Sequence, residues 1–246
     1  MHPWLSRRHP AILPHGWFHL VALLLLVLPA RAFAMLAVDD PSWKLQSSGD
    51  GISLYRASIP GTGVVPVKAT MSIPGTIEEV SLVLEDIPRR KDWIGTRTES
   101  VLLQRATAYE QTEYLRVHLP WPVQDRSAVI RALITVSDDR RQATIGCSSI
   151  QSPLADSLPV LVRAQVHEST FQMTQQQGHV DVVALVFIDP CGWIPKWVVN
   201  YFAGRVARST FVGLRKQVAR NLYSAAQKDA MHERMVNYNH TPARME

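Results

Sequence analysis

Residues 180–188 are apolar on both sides of an extended chain: Val180, Val182, Ala184, Val186 and Ile188 fall on one face, Val183, Leu185 and Phe187 on the other. A strand with two apolar faces is covered on both sides. The sheet that holds it must therefore carry another layer on its concave side. This is the last of six antiparallel strands expected from alternation and turn residues, at 99–105, 109–119, 127–137, 142–150, 164–174 and 180–188. Asp138-Asp139 and Gln177-Gly178-His179 supply hairpin turns.

The layer that covers them is expected from a final helix at 195–227, with Pro195 in its first turn. Val199, Phe202, Ala203, Val206, Gly213, Leu214, Val218 and Leu222 form its apolar stripe, leaving Arg205, Arg208, Arg215, Lys216 and Arg220 to solvent. Ahead of the six strands, the sequence predicts a short opening helix at 41–45 capped by Ser42, strands at 52–57 and 64–73, and an amphipathic helix at 76–86. In that last helix Thr76 and Glu79 have the spacing of a capping box. Residues 227–246 read as a flexible tail.

The first 34 residues differ in kind from the rest. Arg7 and Arg8 precede the apolar run 17–28, which Pro29 and the small-residue pattern Ala30-Arg31-Ala32-Phe33-Ala34 follow. This is the pattern of a secretory signal peptide cleaved after Ala34 or Ala32. The run is shorter than the ~20 apolar residues of a spanning helix. Export into a periplasm is the expectation, with residues 35–226 as one domain. The formal charge of +5 comes from 26 basic against 21 acidic residues, and three of the Arg lie in the leader, which holds no acid. The remainder is nearly balanced, which gives no support to a nucleic-acid partner. Cys147 and Cys191 are read as free thiols, although an oxidising compartment permits a disulfide.

Four local motifs keep one order. They are Asp50-Gly51-Ile52-Ser53-Leu54-Tyr55-Arg56, then Leu119-Pro120-Trp121-Pro122-Val123-Gln124-Asp125-Arg126, then Leu161-Val162-Arg163, and last Asp189-Pro190-Cys191-Gly192-Trp193-Ile194-Pro195-Lys196-Trp197. With the element order, they resemble bacterial START domains across nearly all of residues 40–222. Two departures are visible: Ser127 stands where the family usually has a second Asp, and Cys191 where it usually has Gly. The resemblance implies an α+β helix-grip fold, a curved antiparallel sheet wrapped around the C-terminal helix with a tunnel between them. It also implies a lipid or other hydrophobic small molecule as partner. An apolar tunnel favours such a guest on physical grounds.

The expected lining comprises Ile130, Ala132, Ile134 and Cys147 from the middle strands, Phe171, Met173, Leu185 and Phe187 from the last two, and Val199, Phe202 and Val206 from the helix. Alternation sets Arg163 on the face of Phe171 and Met173, where it would hold a polar ligand head. Asp125 and Arg126 are expected to pair and fix a corner, and Trp193 or Trp197 at the tunnel mouth would make a transient membrane contact.

No catalytic motif, metal-ligand spacing or cofactor fingerprint is found. The competing reading is a helix-grip enzyme of the cyclase or aromatase type acting on a hydrophobic ring, with His118 and Glu113 or Tyr114 as acid and base.

Overall fold

A computed structural model describes residues 36–238 except 157 and 160. The leader at 1–34 and the end of the tail lie outside the described residues. Alternation becomes strand at β1 (Lys44–Gly49), β2 (Ile52–Arg56), β3 (Val67–Pro74), β4 (Thr98–Thr107), β5 (Glu110–Val117), β6 (Arg126–Val136) and β7 (Gln142–Ser149). The short β8 (Val162–Arg163) and β9 (Gln165–Val166) precede β10 (Ser169–Gln175), β11 (His179–Val186) and β12 (Ile188–Asp189). Nine of these make one antiparallel path in the order β1-β2-β3-β11-β10-β7-β6-β5-β4. β8 adds to β6 in parallel, and β9 pairs with β12.

Three α-helices accompany the sheet among the described residues. The first, α1 (Ile77–Glu85), begins at the expected capping box, in which Thr76 accepts from the Glu79 N–H and Glu79 accepts from the Thr76 N–H. It turns Ile77, Val80, Val83 and Leu84 into the core. The second, α2 (Lys196–Ala219), is the long helix expected over the sheet. The whole is an α+β fold, and β11 is covered twice. Val180, Val182 and Ala184 pack in the main core with Leu214 and Val218 of α2, while Leu185 and Val183 pack on the opposite side with Trp43, Ala57 and the segment carrying Leu36 and Val38.

Four elements differ from expectation, and two of them are the strands at 164–174 and 180–188, which each break in two, with β9 and β12 pairing in a sheet of their own. Residues 41–45 do not form a helix: Ser42 bonds the Asp40 carboxylate instead of capping, and Lys44 opens β1, an exposed edge strand on β2. The final helix does not run to 227, and residues 225–236 form a further helix where a loose tail is expected. The long helix stops at Ala219, Asn221 adopts a left-handed φ of 49°, and Ser224 with Gln227 makes a second capping box that starts α3 (Ala225–Val236). Met231 and Met235 then enter the main core.

Two glycines let the segment after α1 lie directly on α2. A Cβ on Gly213 would sit 2.1 Å from the Trp93 carbonyl oxygen, and one on Gly95 would sit 1.9 Å from Ser209 Oγ. Neither approach is open to any other residue.

Candidate functional site

Register sets out the inner face of the sheet as rows across the strands. One row runs Val136, Ala143, Met173, Val182, Met71, Ile52, and the next runs Ile134, Ile145, Phe171, Ala184, Ala69, Leu54. These two rows are filled: Phe211, Leu214 and Val218 of α2 and Val80, Val83 and Leu84 of α1 pack into the same cluster. Met173 is plain core beneath Ser81 of α1.

The neighbouring rows are different. Ala132 lies beside Gln111 and Cys147, and Ile130 beside Glu113 and Ser149. Ile130 and Ala128 form a small separate cluster with Val166, touched by Leu115 and Cys147. The half of α2 belonging to this end of the fold contributes no fully buried residue before Phe211. Val199 and Val206 are half-buried, and Phe202 is 51% exposed. Cys147 carries the same message: burial pushes its thiol up to about 12, yet the residue retains accessible surface. This part of the inner wall is thus shielded from water without being fully packed.

That wall is polar on one side. Glu113 is buried on the inner face, and its Oε1 accepts from Arg90 Nη1, whose other amino group donates to the Leu84 carbonyl at 3.0 Å. Glu113 Oε2 is buried with no protein partner, as are Gln111 Oε1, Ser100 Oγ, Thr98 Oγ1 and the Trp93 indole N–H. Gln111 and Glu113 lie two residues apart on β5, so they share one face about 7 Å apart. Buried acceptors without donors are costly. A guest carrying a hydroxyl or amine would relieve that cost.

The structure therefore brings Ile130, Ala132 and Cys147 together on the inner face of β6 and β7, whereas Val199, Phe202 and Val206 belong to α2, whose main strand neighbours are β2 and β3. Ile134, Phe171 and Met173 belong to the packed rows. Three of the expected lining residues lie elsewhere. Leu185 is on the outer face against Trp43, because α2 and the N-terminal segment cover opposite sides of β11. Phe187 follows the end of β11 and stacks on the His167 ring at 4.2 Å. Arg163 is exposed on the outer face, bonding Ser127 Oγ at 3.1 Å and lying over the Tyr114 ring at 5.5 Å. Alternation reaches Arg163 only along an unbroken strand, whereas β8 and β9 are separate pieces with different partners. The cation beside Glu113 is instead Arg90, in the turn after α1, where no periodicity marks it.

Asp125 and Arg126 do not pair. Asp125 binds Arg116 at 2.7 Å, His118 at 2.9 Å and the Leu119 N–H. Arg126 donates to the carbonyls of Gln124, Pro190 and Cys191, tying the β6 corner to the loop before α2. Within that loop Cys191 holds a left-handed φ of 52°, a conformation that Gly adopts without strain. His118 is engaged by Glu99 and Asp125, Glu113 by Arg90, and Tyr114 faces outward beneath Arg163, so no acid–base pair of these three is assembled. Among the described residues no group of three His, Cys, Asp or Glu is arranged to hold a metal.

An inner sheet face gripping one long helix defines the helix-grip class of fold. The START domain family matches residues 29–222, and the chain belongs to that family. It is 28% identical over 200 residues to an uncharacterized protein of Pseudomonas aeruginosa, covering 77% of this chain and 93% of that one. It is 23% identical to the phosphatidylcholine transfer protein of Mus musculus, covering 68% and 79% of the two chains. The fold matches human StAR-related lipid transfer protein 5 with a TM-score of 0.68 at 20% identity, over 76% of this chain and 90% of that one. Membership implies a lipid or hydrophobic ligand, in a lipid-transfer family that is usually non-enzymatic.

Proposed function

We propose that this chain is an exported, periplasmic carrier that holds one lipid between the inner sheet face and the N-terminal half of α2, and moves it without chemistry. The observation that carries this reading is the open end of the inner face. The small side chains of Ala132 and Cys147 and the buried Arg90–Glu113 pair face it from the sheet side, and α2 before Phe211 contributes no fully buried residue to fill it. The apolar body of a lipid replaces the missing packing, and a hydroxyl or amine on its polar end meets Glu113 Oε2 and Gln111 Oε1. The leader pattern supports export. Trp193 and Trp197, 90% and 74% exposed, flank the start of α2 and suit a transient contact with a bilayer interface. No helix among the described residues is long and apolar enough to cross a membrane.

Native mass spectrometry of residues 35–246 purified from a periplasm without detergent, followed by organic extraction, tests the reading. One defined lipid per chain is expected. A protein that arrives empty and takes up neither fluorescent lipid nor sterol would overturn it.

A further inference from the structure

A second feature lies where the N-terminal half of α2 crosses β2 and β3, lined on the sheet side by Leu54 and Val67 of the inner face. The β1–β2 hairpin and the N-terminal half of α2 bound an open groove of about 290 Å³, into which Arg56, Arg205 and Arg208 converge. Each is held by neutral groups. Arg205 donates to the Tyr201 hydroxyl at 2.8 Å and lies 4.7 Å over that ring, while Arg208 donates to the Gly49 carbonyl and to Ser47 Oγ. Arg56 lies against Gly204, where a Cβ would come 2.9 Å from its Nη2, so the glycine makes room for the guanidinium. Two turns beyond Arg208 along the same flank, Arg215 donates to the Asp50 carbonyl.

Elsewhere in the described residues, Arg89, Arg90, Arg105, Arg116, Arg131 and Arg234 each form an ion pair with a carboxylate. The groove arginines form none, and neither do Arg97, Arg126, Arg140, Arg141, Arg163, Arg215 and Arg220; what sets the groove apart is that three such guanidinium groups line one opening. Like charges gathered without counter-charge repel one another, and guanidinium groups bind phosphate oxygens two at a time. The row does not end at the groove: Tyr201 sits one turn before Arg205, and Trp197 one turn before Tyr201. An aromatic row leading into a cationic groove matches the layering of an anionic bilayer surface, phosphate outermost and the interfacial region beneath.

We propose that this groove binds the phosphate of an anionic phospholipid and docks the protein on negatively charged bilayers, with Trp197 and Tyr201 entering the interface. The proposal rests on the reading that the protein meets membranes; the groove lies against β2 and β3 and the proposed lipid site against β5 to β7, so their residues can be tested separately.

Flotation of the full mature chain with vesicles of phosphatidylcholine alone, and of phosphatidylcholine with about one-third phosphatidylglycerol, tests it. Binding to the anionic vesicles only, lost at high salt, is expected. The double variant R205Q/R208Q should bind about thirty-fold more weakly, that is about 2 kcal/mol, while K216Q/R220Q, with the same loss of charge on the same helix, should bind nearly as the parent does. Lipid uptake from a detergent-solubilised donor should be unchanged in both; its loss in the parent would count against the carrier reading and leave the docking result standing. Equal binding to both vesicle types, or equal losses in the two double variants, would overturn the groove as the docking site. Calorimetric binding of glycerol phosphate that depends on Arg205, without vesicle binding, would assign the groove to a soluble phosphate and overturn the bilayer.

Discussion

The two halves of α2 share one helix and one sheet, yet they do different work. From Phe211 onward the helix buries Phe211, Leu214, Gln217 and Val218 against α1 and the closed rows of the sheet. Before Phe211 it buries nothing fully, and Trp197, Tyr201 and Phe202 are exposed. The seam between them is where Gly95 and Gly213 let the segment after α1 press onto the helix. One half is a fixed anchor, and the other is free to be completed by a guest or a surface. A continuous apolar stripe thus does not imply continuous packing, because packing also depends on what the opposite wall supplies.

Substitutions of one kind in the two halves should therefore separate stability from binding. Phe211→Ala is expected to cost about 3–5 kcal/mol, as truncation of a buried aromatic does, whereas Phe202→Ala should cost under about 1 kcal/mol and reduce the lipid recovered with the protein. Urea denaturation and extracted lipid, measured on the same preparations, check both. Equal destabilisation by the two would mean that the halves are packed alike. A smaller contrast applies on the sheet. Ala143→Phe overfills the closed row and should cost about 1–3 kcal/mol, while Cys147→Phe enters open space, with little loss of stability and a loss of bound lipid.

Much of this division is legible in the sequence, in its parts. The capping box at Thr76 and Glu79 is a local signal that the fold keeps, and alternation locates the strands, because a period of two survives any tertiary context. The same kind of local signal at Ser224 and Gln227 marks the start of α3. The unbroken apolar stripe of the preceding helix masks it, and with it the break at Asn221. Leu185 and Phe187 keep the parity of β11, opposite Val182 and Ala184, but with both faces covered parity does not say which one faces α2; Arg163 lies across the β8–β9 break, where parity is lost. Arg90 and Glu113 carry the polar wall, but one sits in a turn and the other among the mixed residues of β5. Only the register against Ile130 shows which way Glu113 faces.

The anchor half has one more brace, and acid should loosen it without touching the open half. Glu78 and Glu79 of α1 reach across to α3, bonding His232 at 2.8 Å and Lys228 at 2.5 Å. Burial works to raise both carboxyls. It is outweighed by hydrogen bonds from His232 to Glu78, and from Lys228 and the Thr76 N–H to Glu79, so both groups are held below the ordinary glutamate value of 4.5. A carboxyl lowered in the folded state contributes stability that is present above its unfolded value and is lost as pH falls through the folded one. These pairs are partly solvent-exposed, so each is worth a few tenths to about 1 kcal/mol. Below pH 4.5, hydrogen exchange should speed up first in α3 and in the end of α2 that it braces, while β6, β7 and the retained lipid stay unchanged. Early release of lipid over the same pH range would show that α3 governs the open half as well, and the two halves of α2 would then have to be treated as one coupled element.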